Sequence, residues 1–222
     1  MRMRSFDAVF FDLDGTLADT APDLAAAANR LVVEHGYPPV PYETLRPVAS
    51  HGARGLIGAA FGKRPEDPEF PALRDTFLNY YEADIAVHTR LFDGMGDVLA
   101  RLEAADIRWG IVTNKIARFT VPLVAKIGLT PRASAIVSGD TTPHAKPHPA
   151  PLLHAAEVSG VTPRRCVYVG DDLRDIQAGK AAGMITVTAA YGYCGEGAPP
   201  ETWGADHLIH HPSELISVLA LS

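Results

Sequence analysis

The stretch Val9–Thr20, VFFDLDGTLADT, decides the reading of this 222-residue chain. An apolar run, Val9, Phe10 and Phe11, passes straight into Asp12 and Asp14, two residues apart. In an extended backbone that spacing puts both carboxylates on one side. Two such charges ~4 Å apart repel by about 4 kcal/mol at an effective dielectric of ~20. A fold that keeps them either leaves them in water or supplies a cation. Gly15 follows, where backbone can approach a ligand closely. A bare D-x-D after a strand reads as an acidic turn, so the rest of the chain has to decide.

Working outward, runs of strand length recur as AVFF (8–11), WGIV (109–112), AIV (135–137), CVYV (166–169), MITVTAA (184–190) and HLI (207–209). Helical patterns lie between them: MGDVLARLEAA, FTVPLVAKIG, APLLHAAEVSG, DIQAGKAAG and SELISVLA. Gly128, Gly160 and Gly183 close the middle ones, a common C-terminal signal. The alternation predicts an α/β, Rossmann-like, doubly wound and mainly parallel sheet with helices on both faces. Residues 18–88 break the rhythm: they read as helices near 22–35, 52–61 and 70–84, separated by proline-rich segments and without a clear strand. The expected division is therefore a core of residues 1–17 and 89–222 with an inserted helical domain over 18–88. Thr20-Ala21-Pro22-Asp23 matches a capping box for its first helix.

Composition narrows the partners. Hydrophobic residues make up 47% of the chain, enough for a full core, and the formal net charge is −6 with no basic run. Nucleic acid and anionic membrane are thus not expected partners. Cys166, in CVYVG, reads as a buried thiol, and Cys194, in YGYCGEG, as an exposed one. A pair of this kind makes no disulfide framework and fits a reducing cytoplasm. The apolar run at the N-terminus stops at Asp12, too short for a signal peptide, and no run approaches the ~20 apolar residues of a membrane span. The histidines, including His144, His148, His207, His210 and His211, lack the company and spacing of a zinc site. Gly192, Gly195 and Gly197 read as a flexible turn rather than a dinucleotide fingerprint.

Polar groups directly follow strand ends in three places: Asp12 and Asp14 after the first, Thr113-Asn114-Lys115 after WGIV, and Asp171, Asp172 and Asp175 after CVYVG. Parallel strands bring all of them to the carboxyl edge of the sheet, where ligands of open α/β sheets bind. Carboxylates that converge from distant sequence suit a hard cation, and a site that keeps waters or substrate oxygens suits magnesium. Asp172 and Asp175 also stand where helix-dipole compensation alone accounts for them.

This set resembles the haloacid dehalogenase superfamily in its phosphatase branch, over nearly the whole chain. The matching motifs are Asp12-Leu13-Asp14-Gly15-Thr16, then Thr113, then Lys146 in HAKPHPAP, then Gly170-Asp171-Asp172-Leu173-Arg174-Asp175. Details such as SHGAR and TNK are most similar to phosphoglycolate phosphatases, and bacterial N-acetylmuramic acid 6-phosphate phosphatases are similar too. The resemblance implies a magnesium-dependent phosphomonoesterase acting on a small phosphorylated metabolite, as a cytoplasmic monomer or homodimer. It implies Asp12 as nucleophile, forming an aspartyl-phosphate, and Asp14 as the acid that protonates the leaving group and then the base for water. Thr113 would donate to a phosphoryl oxygen with Asn114 beside it, and Lys146 would neutralise charge. Magnesium would bridge Asp12, the Asp14 main-chain carbonyl and Asp171. Asp175 would support Asp171 through water or by holding Lys146, and Asp19 would be a linker residue. The inserted helices would form a cap, with Ser50, Gly52 and Arg54 reading the substrate and Arg54 taking a carboxylate.

Other readings share parts of this pattern. A sugar phosphomutase has the same core motifs and differs in the acceptor of the phosphoryl group. A dehalogenase needs the nucleophile but neither Asp14 nor Asp171, and a phospho-accepting receiver module has no use for the inserted helices.

Overall fold

The computed structural model describes residues 6–195 and 197–221. In chain order its first half runs β1 (Ala8–Phe11), β2 (Ala18–Asp19), α1 (Ala21–Glu34), α2 (Tyr42–Leu45), α3 (Gly52–Phe61), α4 (Phe70–Ala83), β3 (Arg90–Leu91) and α5 (Met95–Ala104). The second half runs β4 (Arg108–Val112), α6 (Ala117–Lys126), β5 (Ile136–Val137), α7 (Ala150–Val158), β6 (Cys166–Gly170), α8 (Leu173–Ala181), β7 (Ile185–Ala189), β8 (His207–Ile209) and α9 (Glu214–Val218). The main sheet has the order β5-β4-β1-β6-β7-β8, and every pairing in it is parallel.

Alternation along β1 sorts its side chains onto two faces. Val9 and Phe11 join Trp109, Ile111, Val167 and Val169 in one buried cluster, with the apolar faces of α5, α6 and α9. Ala8 and Phe10 turn the other way, to Tyr168, Leu152 and Ala178 of β6, α7 and α8. With helices on both sides the central strand is buried throughout, which is why it reads as an apolar run rather than an alternating one. The helices from α1 to α4 pack Leu31, Leu56, Ile57 and Phe77 into the same cluster as the first sheet face.

The helix C-termini end as the glycines predict, with positive φ at Gly128, Gly160 and Gly183. Differences gather where the chain enters and leaves the helical layer. Residues 18–88 were expected to hold no strand, yet β2 pairs antiparallel with β3, Ala18 opposite Leu91 and Asp19 opposite Arg90. Two-residue strands carry no periodicity, so no pattern could reveal them. The proline-rich stretch before α3 holds α2 and a 3-10 turn over Arg46–His51, because proline is tolerated in a first helical turn.

The expected capping box at Thr20 is not formed. Thr20 occupies the N-cap position, but its hydroxyl donates to Asp14 instead of capping α1. Asp23 accepts from the main-chain N–H of His88 and Thr89 and from the Thr89 hydroxyl, tying the start of the layer to its end. The phenol of Tyr193 does the capping: it accepts from the N–H groups of Thr20 and Ala21 at 2.8 Å each and donates to Asp19 at 2.8 Å. Asp19 is therefore a paired strand residue held by a hydrogen bond, not a plain linker. Among the described residues no helix is long and apolar enough to cross a membrane.

Candidate active site

Asp12 is the first residue past β1, Thr113 the first past β4 and Asp171 the first past β6. Adjacent parallel strands thus deliver all of them to one edge. One oxygen each from Asp12, Asp171 and Asp175 lie within 4.8 Å of one another, and all these residues are buried. Asp171 is 0% exposed. Its oxygens accept from the Thr16 hydroxyl at 2.8 Å and from the Tyr193 N–H at 2.9 Å. Burial, with Asp12 and Asp175 nearby, pushes the Asp171 carboxyl well above its ordinary range. Burial likewise pushes Asp12 up to about 7; Lys146 opposes this, while Asp175 and Asp14 add to it.

Lys146 balances only part of that charge. Its Nζ lies 2.9 Å from Asp12 and 2.7 Å from Asp175, and donates to the Val112 carbonyl at 3.0 Å and the Tyr168 hydroxyl at 2.8 Å. Burial works against the ammonium, but Asp12 and Asp175 outweigh it and raise its pKa. Three buried carboxylates around one ammonium leave a deficit of positive charge. A divalent cation with hard oxygen ligands fits this donor set, with Asp12 and Asp171 as the carboxylates not committed to a capping role. Asp175 completes a capping box with Asp172 at the start of α8, besides holding Lys146.

The approach of backbone to Asp171 is close. A Cβ on Gly15, whose φ is +82°, would stand 2.2 Å from an Asp171 carboxylate oxygen, and one on Gly192 2.3 Å from the Asp171 Cβ. Gly192 is thus a tightly packed wall of the site, not part of a merely flexible turn. Cys194 beside it is half-buried rather than exposed, while Cys166 is buried as expected.

Thr113 is buried and lines a cavity of ≈ 320 Å³ together with Asp12, Asp14, Lys115, Lys146 and Arg174. Asn114 also lines it, and its side chain is held at both ends: Oδ1 accepts from the Lys146 N–H and Nδ2 donates to the Lys146 carbonyl, both at 2.9 Å. The motif that precedes Lys146 by 32 residues therefore fixes its main chain. From the helical layer, Ser50 and Gly52 line the cavity, and the Ser50 hydroxyl is buried without a hydrogen-bond partner among the described residues. Arg54 of α3 is exposed and does not line the cavity. The expectation that Arg54 reads a substrate carboxylate concerns a closed cap, and in this structure Arg54 stands apart from the cavity lining. The lysine and arginine groups at the cavity wall are Lys115, Lys146 and Arg174, and the last forms a two-pronged pair with Asp172 at 2.8 and 2.7 Å.

Sequence reasoning placed Lys115 at the sheet edge but gave it no role of its own, and it missed Tyr81 and Tyr193. Lys115 carried a signal, as the next residue after Thr113-Asn114 on the same edge. Tyr81 lies inside an amphipathic pattern, where an aromatic reads as core. Tyr193 lies in a loop with no periodicity, and only folding brings it to both Asp171 and the start of α1.

A parallel sheet, carboxylates at its carboxyl edge and a helical layer over them define a class. The family model for haloacid dehalogenase-like hydrolases matches residues 9–189. The chain belongs to that family. An N-acetylmuramic acid 6-phosphate phosphatase of Pseudomonas aeruginosa is 43% identical over 219 residues, covering 99% of this chain and 97% of that protein. A phosphoglycolate phosphatase of Xanthomonas campestris pv. campestris is 44% identical over 213 residues, covering 96% of each. Among solved structures, a predicted phosphoglycolate phosphatase from Haemophilus somnus superimposes with a TM-score of 0.85 at 27% identity, covering 97% of this chain and 99% of that one.

Proposed function

We propose that the chain is a magnesium-dependent phosphomonoesterase that hydrolyses a small phosphorylated metabolite through an aspartyl-phosphate on Asp12. The observation that carries this reading is the buried Asp12 carboxylate, with Lys146 on one oxygen and Asp171 and Asp175 beside it, at the wall of a cavity. Asp12 attacks phosphorus as the nucleophile. Lys146 spreads the charge of the nucleophile and of the phosphoryl oxygens, and Asn114 holds the Lys146 main chain for that purpose. Thr113 supplies a hydroxyl donor to a phosphoryl oxygen. Asp14 protonates the departing oxygen and later takes a proton from the hydrolytic water. Asp12, Asp171 and the main-chain carbonyl of Asp14 would hold magnesium, which neutralises the repulsion between an anionic nucleophile and an anionic phosphate.

Residues 18–88 act as a cap domain on a core of residues 1–17 and 89–222. Ser50, whose buried hydroxyl has no hydrogen-bond partner among the described residues, and Gly52 meet the leaving group from the cap side. We take 2-phosphoglycolate as the first substrate. The identity to the Pseudomonas phosphatase over 99% of this chain favours N-acetylmuramic acid 6-phosphate as the second reading. The enzyme would work in the cytoplasm, as a monomer or homodimer. Phosphate release from both esters, measured with magnesium and again after chelation with EDTA, tests this. Release that requires magnesium and favours one ester supports the reading and picks the substrate. Full activity after exhaustive chelation, or release from neither ester, contradicts it.

A further inference from the structure

Two lysines stand among the carboxylates, and each serves a different one. Lys146 contacts Asp12 and Asp175, whereas Lys115 contacts Asp14 and none of the acidic cluster. Lys115 has little freedom. Its N–H donates to the Thr113 hydroxyl at 3.2 Å, and its carbonyl accepts from the Gly139 N–H at 2.8 Å and the Thr120 hydroxyl at 2.9 Å. Its side chain is 9% exposed. The ammonium donates to one Asp14 oxygen and, at 2.9 Å, to the hydroxyl of Tyr81.

Tyr81 belongs to α4, in the helical layer, and is buried there. Its ring stacks on Phe77 with centroids 6.4 Å apart and tilts against Phe119 of α6 at 5.7 Å. The same Asp14 oxygen that meets Lys115 also accepts from the Thr20 hydroxyl, at the entry to α1. Both donors fall on Oδ1, and among the described residues no donor engages Oδ2. The carboxyl group is therefore held by one oxygen and leaves the other for proton transfer.

We propose that Lys115 and Tyr81 are positioning residues for Asp14, so that proton transfer to the leaving group depends on how α4 sits over the core. The proposal rests on the phosphatase reading. In the first step an Asp12 oxygen bonds to phosphorus, the bond from phosphorus to the ester oxygen breaks, and its electron pair takes the proton from Asp14 Oδ2. In the second, water attacks phosphorus, Asp14 accepts its proton, and the electron pair of the Asp12–phosphorus bond returns to the carboxylate. Neither step has Lys115 or Tyr81 as a reactant. Each fixes the carboxyl plane within the narrow tolerance that proton transfer requires.

The signature of a displaced proton donor is dependence on the leaving group. An alkoxide needs the proton, and a nitrophenolate leaves without it. The test compares wild type with Lys115→Met and Tyr81→Phe on ethyl, phenyl and 4-nitrophenyl phosphate with magnesium, and adds 2-phosphoglycolate. Lys115→Met should lose roughly 10- to 100-fold in kcat on ethyl phosphate and less than about threefold on 4-nitrophenyl phosphate, with phenyl phosphate between. Tyr81→Phe, which keeps the ring and its packing, should show the same order with a smaller loss. Equal losses on the three esters that lack a carboxylate, or none, overturn the proposal while leaving the phosphatase reading intact. A loss confined to 2-phosphoglycolate also overturns it, because Lys115 would then be reading the substrate carboxylate. Wild type that releases phosphate from none of the esters overturns the phosphatase reading, and this proposal with it.

Discussion

At Asp12 the burial that orders the carboxylate also resists its ionisation, and pushes its pKa up to about 7. The consequence for stability has a definite sign. A carboxyl whose folded pKa lies above its unfolded one contributes most below the unfolded value, and that contribution is lost as pH rises through about 7. The metal-free protein should therefore weaken between about pH 5 and about pH 8. Asp12→Asn removes the charge, so it should be the more stable protein at the upper end, by roughly 1–3 kcal/mol, with little difference at the lower. Thermal melts of both proteins in EDTA across that range check this; a pH-independent difference contradicts it. The same variant should lose turnover by many orders of magnitude, since a neutral amide makes no phosphoenzyme.

Asp12 and Asp14 were legible at this scale only in company: a bare pair after a strand reads as an acidic turn, and Thr113, Lys146 and Asp171 further along the chain decide otherwise. Arg54, expected to read substrate, stands apart from the cavity lining in this structure. A glycine-flanked arginine suggests an accessible guanidinium but says nothing about which side of α3 faces the cavity. Asn114, read as a partner for substrate, does line the cavity, and both ends of its amide also hold the Lys146 main chain. A residue's chemistry is visible in sequence; its partner, 32 residues away, is not.

At the scale of elements, the segment after β4 organises the site. Thr113, Asn114 and Lys115 are consecutive, and they point their functions at the cavity, at Lys146 and at Asp14 in turn. Removing the middle one should loosen Lys146 without touching any reacting group. Asn114→Ala is expected to cost about 1–3 kcal/mol for the two lost hydrogen bonds. It should also lower kcat more than it raises KM, because Lys146 acts on the developing charge. Denaturant titration and steady-state kinetics measure both, and an unchanged stability would show that the pair of hydrogen bonds is not formed. The strands and helices of the core were legible almost residue by residue, since apolar runs and closing glycines repeat there. The β2–β3 ribbon and the true cap of α1 were not, because each is made by residues far apart in the chain.

Across the whole molecule, Tyr193 ties the acidic site to the helical layer. Its N–H donates to Asp171, and its hydroxyl caps α1 and holds Asp19. Arg46, from the layer, lies over its ring at 4.9 Å and donates to the Gly192 carbonyl at 3.2 Å. Tyr193→Phe leaves the Asp171 contact in place and strips the cap from α1. It should cost about 1–3 kcal/mol, which at ~2–4 °C per kcal/mol for a chain of this size is several degrees of Tm. Hydrogen exchange should quicken first at the N-terminus of α1. Uniform loss of protection over the whole sheet instead would mean that Tyr193 supports the core rather than the joint.

The proposed mechanism stands or falls with a covalent phosphoryl group on Asp12. Borohydride added during turnover reduces an acyl phosphate to an alcohol and so converts the aspartate that carries it into homoserine. Peptide mass spectrometry after such a quench, with magnesium and a substrate that is being hydrolysed, tests the claim most directly. Homoserine is expected at position 12, only when substrate is present, and none at Asp14, Asp171 or Asp175. Phosphate release at full rate with Asp12 unmodified, or with the label on another carboxylate, would contradict it.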